Sequence, residues 1–284
     1  MVPAQYAPVT LAGRRLALWF LPAALGLATA AIFAAGFTAA LGGRLGEPVD
    51  PSATPVPPTA SPAATPPANG AFHIVALGDS LTRGAGDAAG GGGYPERVAA
   101  ALRRTGLIVS VDNLAVDGSE TGDFLRRIED AGVGQRIAAA NLILVSIGGN
   151  DLSHSLGSAT PGETAADPTA AALTGASLNL QRILSLLRES NPSAPIRLLG
   201  LYNPFPEGFD RRMAKETLLK WNVALEEASY SVPGASVVPT ADLFDERPDR
   251  LSPDRFHPGP NGYGEIASRV FSTLNLPPSA PQRS

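Results

Sequence analysis

Ser80 stands where a nucleophile is easily built. The apolar run FHIVAL at 72–77 leads straight into Gly78-Asp79-Ser80-Leu81-Thr82. A serine just past the carboxyl end of a buried strand, behind a glycine, sits on the turn into a helix. There its backbone N–H and its hydroxyl can face the same spot. Gly, Asp and Ser are also ordinary turn residues, so the tetrapeptide alone specifies little. A second set is Asp254-Arg255-Phe256-His257-Pro258. A carboxylate three residues before a histidine meets its Nδ1 across one tight turn. That contact fixes the tautomer, stabilises the imidazolium and leaves Nε2 to take a proton from a serine. On spacing alone a surface histidine beside a surface aspartate is the expected reading. The chain has only three histidines, His73, His154 and His257, and any imidazole base must come from them.

Two further turns offer hydrogen-bond donors. The run LILVSI at 142–147 ends in Gly148-Gly149-Asn150-Asp151, where the glycines allow a sharp bend. Asn150 can donate into a cleft from there, or Asn150 or Asp151 can cap a helix. After the run at 107–111 comes Asn113-Leu114-Ala115-Val116-Asp117-Gly118, and Gly118 would add a backbone N–H at the same edge.

The elements that must position these groups alternate along the chain. Strand candidates are 72–77, 107–111, 142–147, 196–201 and 235–238, with helical patterns near 94–104, 121–139, 173–190, 211–230 and 262–274. In 211–230 the residues Ala214, Leu218, Trp221, Leu225 and Ala228 fall on one face and read as core. Short buried strands separated by helices predict parallel βαβ units in a three-layer α/β/α sandwich. Sites in such sheets form at the carboxyl ends of the strands, where three of the four turns fall, the fourth lying on the late loop.

Taken together, GDSL at 78–81, Gly118 after NLAVD, GGND at 148–151 and D-x-x-H-P at 254–258 resemble the GDSL/SGNH hydrolase family. The blocks stand in family order and cover the chain from about 72 to 274. The resemblance implies a flavodoxin-like sheet of five parallel strands. It implies Ser80 as nucleophile, His257 as base and Asp254 as its orienter. Its oxyanion hole would be Ser80 N–H, Gly118 N–H and the Asn150 side chain. It also implies a serine hydrolase of carboxylic esters or thioesters that needs no cofactor and no metal. Members act on lysophospholipids, acyl thioesters, simple esters and acetylated carbohydrates. LYNPF at 201–205 resembles the lipase and acylhydrolase members. No motif decides the substrate, and lipid or short-acyl esters are expected ahead of glycan O-acetyl groups. The other outcome is a silent surface binding module that keeps the same cleft.

Other chemistries find less in the sequence. It contains no G-x-S-x-G, no G-x-G-x-x-G and no P-loop lysine, so neither an α/β-hydrolase elbow nor a nucleotide site is expected. Asp79 and Asp151 have no histidine cluster to join in a metal site, and local turn hydrogen bonds are the expected use. His154, four residues after Asn150, reads as satisfied or solvated, and His73, opening a strand, as structural. Net charge is −4 with no concentration of bases, so nucleic acid is not an expected partner. The absence of cysteine excludes disulfides, thiolate metal sites, a cysteine nucleophile and a cysteine-linked lipid anchor.

Residues 16–41 carry no charge over 26 positions. As a helix at ~1.5 Å per residue they span roughly 39 Å, more than the ~30 Å hydrocarbon core. Arg14 and Arg15 precede the run, which predicts a single-pass signal anchor with 1–15 cytoplasmic and the remainder extracytoplasmic. A cleaved signal peptide, which would release the protein, has a shorter apolar stretch. Residues 42–70 include eight prolines between positions 48 and 67 among Ala, Ser and Thr, the composition of an extended spacer. The hydrolase domain is expected over 71–276, followed by an unstructured tail at 277–284. The polar stretch 153–172, just after Asn150, is expected to be a loop that either covers an acyl pocket or only connects elements.

Overall fold

A computed structural model of the chain describes residues 71–276, apart from 89, 159–167 and 205–210. The expected tail, anchor and linker (1–15, 16–41, 42–70) and the C-terminal 277–284 lie outside the described residues. Among the described residues no helix is long and apolar enough to cross a membrane.

Five strands form one parallel sheet in the order β2-β1-β3-β4-β5: β1 (Ala71–Gly78), β2 (Ile108–Asn113), β3 (Leu142–Ser146), β4 (Ile196–Leu199) and β5 (Ala235–Val238). All five residues of β3 and all four of β4 are buried, as a sheet covered on both faces requires. The helices are α1 (Ser80–Arg83), α2 (Gly93–Arg104), α3 (Thr121–Ile128), α4 (Ala131–Ala138), α5 (Gly149–Ser158), α6 (Pro168–Ser190), α7 (Arg211–Tyr230), α8 (Ala241–Phe244) and α9 (Pro260–Ser272). α2 packs with α9, while α6 packs with α3, α4, α5 and α7, which gives the two outer layers of an α/β/α sandwich. The expected three-layer fold and five-stranded parallel sheet are therefore present.

Local differences from the sequence reading have physical causes. The single helix expected over 121–139 is two, because the Asp130 carboxylate accepts from Gly132 N (2.8 Å) and Val133 N (3.2 Å) and starts a new helix. The stretch 153–172 is not one loop: α5 runs to Ser158 and α6 begins at Pro168. Along α7, Ala214, Trp221, Leu225 and Ala228 are core as expected, but Leu218 is only partly buried and faces a cleft.

Register places the turns together. Gly78 of β1 lies opposite Ser146 of β3, and Ala76 opposite Asn113 of β2. The turns after β1, β2 and β3 thus leave one edge of the sheet at the same height. The chain steps outward from β1 to β2 and then crosses back to β3, so this edge is the topological switch point.

Candidate active site

Ser80 is the first residue of α1. Its neighbour Asp79 caps that helix in an extended conformation, accepting from Leu81 N at 3.1 Å. Asp79 is 2% exposed, and its Oδ1 also accepts from Ser146 Oγ at 2.5 Å. Ser146 Oγ in turn lies 2.7 Å from Thr82 Oγ1, which is 2.8 Å from Tyr94 Oη. This buried polar chain ties the turn that carries Ser80 to β3 and α2. Burial pushes the Asp79 carboxyl above its ordinary pKa, against the hydrogen bonds from Ser146 and Leu81 and the nearby His257. Burial likewise pushes Tyr94 upward.

His257 arrives from the segment before α9. Leu251 and Pro258 form an isolated antiparallel bridge, Ser252 N donates to His257 O at 2.8 Å, and Gly259 N donates to Arg250 O at 2.8 Å. Within this closed loop Arg255 takes a positive φ of 57°. The loop is held from the sheet side by Tyr202, whose hydroxyl donates to Phe256 O at 2.7 Å while its ring stacks on Phe244.

The three residues singled out for nucleophilic chemistry meet. Ser80 Oγ lies 2.9 Å from His257 Nε2, and His257 Nδ1 lies 2.7 Å from Asp254 Oδ2. A carboxylate only accepts, so Nδ1 carries the ring proton and Nε2 turns its lone pair to the serine hydroxyl. The other oxygen, Asp254 Oδ1, accepts from Ser252 Oγ (2.6 Å), Phe256 N (2.8 Å) and His257 N (3.0 Å). Desolvation works to raise the Asp254 pKa, but these hydrogen bonds and that from His257 outweigh it and hold the carboxyl well below the ordinary range. Ser252 was not singled out from sequence. Its signal is local, a Ser-Pro-Asp turn two residues before the carboxylate it supports.

The donor residues fall into place less uniformly. α5 begins at Gly149, so Asn150 lies inside the helix and is not its cap. Its Nδ2 donates to Ser119 O at 2.9 Å, which leaves its second amide proton for the cleft it lines with Ser80. Gly118 adopts the left-handed region, φ 75°, as the turn after β2 requires. It lines a depression separate from the cleft, with Val116, Ser119 and Arg127, and Ser119 bonds Asn150 of the cleft.

Asp79 uses its local turn as expected, but Asp151 does not. Its carboxylate accepts from Thr121 N (3.0 and 3.2 Å) and Thr121 Oγ1 (2.6 Å), thirty residues away at the head of α3. His154 is exposed and bonds Glu120 through Nδ1 at 2.5 Å. His73 pairs with Asp112 across β1 and β2 at 3.2 Å. Among the described residues no group of three or more His, Asp or Glu side chains is placed to hold a metal ion.

The cleft over Ser80 has a mainly apolar wall, formed by Leu81, Leu152, Leu201, Tyr202, Leu218 and Phe256. Ser80 and Asn150 line it as well.

Comparison with known proteins agrees with this geometry. Residues 76–264 match the model of the GDSL-like lipase/acylhydrolase family. An uncharacterized protein of Bacillus subtilis, YpmR, is 33% identical over 210 residues, covering 71% of this chain and 82% of that protein. The spore germination lipase LipC of Bacillus licheniformis is 28% identical over 204 residues, covering 70% of this chain and 94% of that protein. Among solved structures, the lipase Lip_vut3 from a goat rumen metagenome is 28% identical with a TM-score of 0.64, covering 71% of this chain and 97% of that one. The chain belongs to the GDSL-like lipase/acylhydrolase family and is, as a member, an ester-hydrolysing enzyme.

Proposed function

We propose that the chain is a serine hydrolase that cleaves carboxylic esters or thioesters of lipid or short-acyl character through an acyl-enzyme. The observation that carries this reading is the Ser80–His257–Asp254 hydrogen-bonded chain opening onto an apolar cleft. Ser80 Oγ attacks the carbonyl carbon as its proton passes to His257 Nε2. The developing oxyanion is held by Ser80 N–H, Gly118 N–H and the free Asn150 amide proton. The C–O or C–S bond then breaks and the leaving group takes the proton from Nε2. Water, activated by the same nitrogen, releases the acid and restores Ser80. Asp254, ionised and fixed by four hydrogen bonds, holds the imidazole in the required tautomer throughout.

The apolar wall favours an acyl chain over the acetylated glycans that other family members deacetylate, and the lipase names borne by two of the similar proteins support the same choice. We extend the proposal to location: the charge-free run 16–41 behind Arg14 and Arg15 anchors the enzyme in the membrane, with the catalytic domain extracytoplasmic on its proline-rich spacer. Resistance of the full chain to carbonate extraction from membranes checks the anchor, and its release by carbonate would remove it. Substrate class is checked with p-nitrophenyl esters from acetyl to palmitoyl. Turnover rising beyond acetyl supports an acyl-chain enzyme, whereas a sharp preference for acetyl would return the glycan O-acetyl esterase to first place.

A further inference from the structure

The turn that bears Gly118 is fastened to α5 at consecutive points. Ser119 O accepts from Asn150 Nδ2 at 2.9 Å, Glu120 bonds His154, and Thr121 gives both its N–H and its hydroxyl to Asp151. Asn179 Nδ2 of α6 closes the seam by donating to Thr121 Oγ1 at 3.0 Å. Glu120 and His154 are exposed or nearly so, and a pair of that kind holds position weakly. The Asp151–Thr121 contact differs. Thr121 is fully buried, and two donors converge on one partly buried carboxylate. Burial pushes that carboxyl upward, the Thr121 hydrogen bonds pull it back, and Glu120 adds to the upward push. An ionised acceptor receiving two donors makes a short, directional fastening.

The position of this fastening gives it a consequence for the reaction. Gly118 lies three residues before Thr121, and Asn150 immediately precedes Asp151 in α5. With the Asn150–Ser119 bond, this carboxylate therefore fixes the spacing between a backbone donor on one segment and a side-chain donor on the other. Oxyanion donors act only when their geometry is fixed before charge develops. We infer that Asp151 is a positioning residue that holds the Gly118 turn against Asn150 and so assembles the two halves of the oxyanion hole. This rests on the serine-hydrolase reading above. Asp151 touches no reacting atom and acts through Thr121.

The test uses the full chain and four variants: Asp151→Ala, Asp151→Asn, Thr121→Val and the double Asp151→Ala/Thr121→Val, with kcat and KM measured on one p-nitrophenyl ester. Losing one oxyanion donor outright costs roughly 10²–10³ in turnover. A displaced donor is expected to cost about 10–100-fold in kcat, with KM within about twofold because the apolar cleft is untouched. Thr121→Val should share this pattern, and the double variant should be no slower than Asp151→Ala. Asp151→Asn, which keeps one acceptor oxygen in place, should recover part of the loss. A trifluoromethyl ketone, which forms the tetrahedral adduct, should bind more weakly in step with kcat. The inference is overturned if folded Asp151→Ala and Thr121→Val keep wild-type kcat, if their effects add independently, or if KM carries the loss. Should Asp151→Ala fail to fold, Thr121→Val and Asp151→Asn decide alone. Failure of the hydrolase reading would appear separately, as turnover that survives Ser80→Ala.

Discussion

Ser80 and His257 are 177 residues apart in sequence and 2.9 Å apart in space. Each stands in a local pattern, a strand-end serine and a D-x-x-H turn, that alone specifies little, and only the combination of the four blocks singled them out. The hydrogen bonds supporting them were readable only where their partners are local. Ser252, two residues from Asp254, falls within reach of turn chemistry. Thr121 does not, because nothing near Asp151 in sequence points thirty residues back. In the proposed mechanism Asp254 acts by keeping the proton on His257 Nδ1. Asp254→Asn would place an amide against that nitrogen and favour the wrong tautomer, so kcat should fall by about 10⁴ with little change in KM, as steady-state kinetics would show. Asn150→Ala removes one donor and breaks the contact to Ser119 O. It should fold and lose roughly 10²–10³ in kcat. Near wild-type turnover for this variant would take Asn150 out of the mechanism.

At the scale of elements, the apolar runs made all five strands legible, to within one or two residues at each end. Helix boundaries were harder, because caps decide them. Asp130 splits one predicted helix in two, and α1 and α8 are too short to show a periodic face. Leu218 shows the limit of periodicity: it shares a face with Trp221 and Leu225, yet it meets the cleft, and spacing cannot tell a core from a pocket wall. Gly148, in the turn after β3, takes φ 100°, and a Cβ there would lie 2.1 Å from the Trp221 ring. Gly148→Ala should therefore destabilise the fold by roughly 1–3 kcal/mol or more, measured by urea unfolding. Asp79 gives a pH signature. Its folded pKa is raised, so its contribution to stability is complete below the unfolded value of 3.8 and declines as pH rises through the folded value. Asp79→Asn keeps the acceptor toward Leu81 N and Ser146 Oγ without the buried charge. Its stability relative to wild type should rise between pH 4 and pH 7, and a constant difference would place the upward shift elsewhere.

For the whole molecule, the sheet order β2-β1-β3-β4-β5 assembles the site. The proposed site sits where the chain reverses direction across the sheet, with Ser80 on the turn after β1, Gly118 on the turn after β2 and Asn150 on the turn after β3. The segment before α9 brings His257 over them. A βαβ pattern predicts this edge in general terms, while strand order and register come only from three-dimensional packing. The claim on which everything else depends is that Ser80 is the nucleophile. The most direct test is to treat the full chain with a fluorophosphonate and map the adduct by peptide mass spectrometry. A single adduct on Ser80, absent from Ser80→Ala and much reduced in His257→Ala, is the predicted result. An adduct on another residue, or ester hydrolysis that persists in Ser80→Ala, would contradict it.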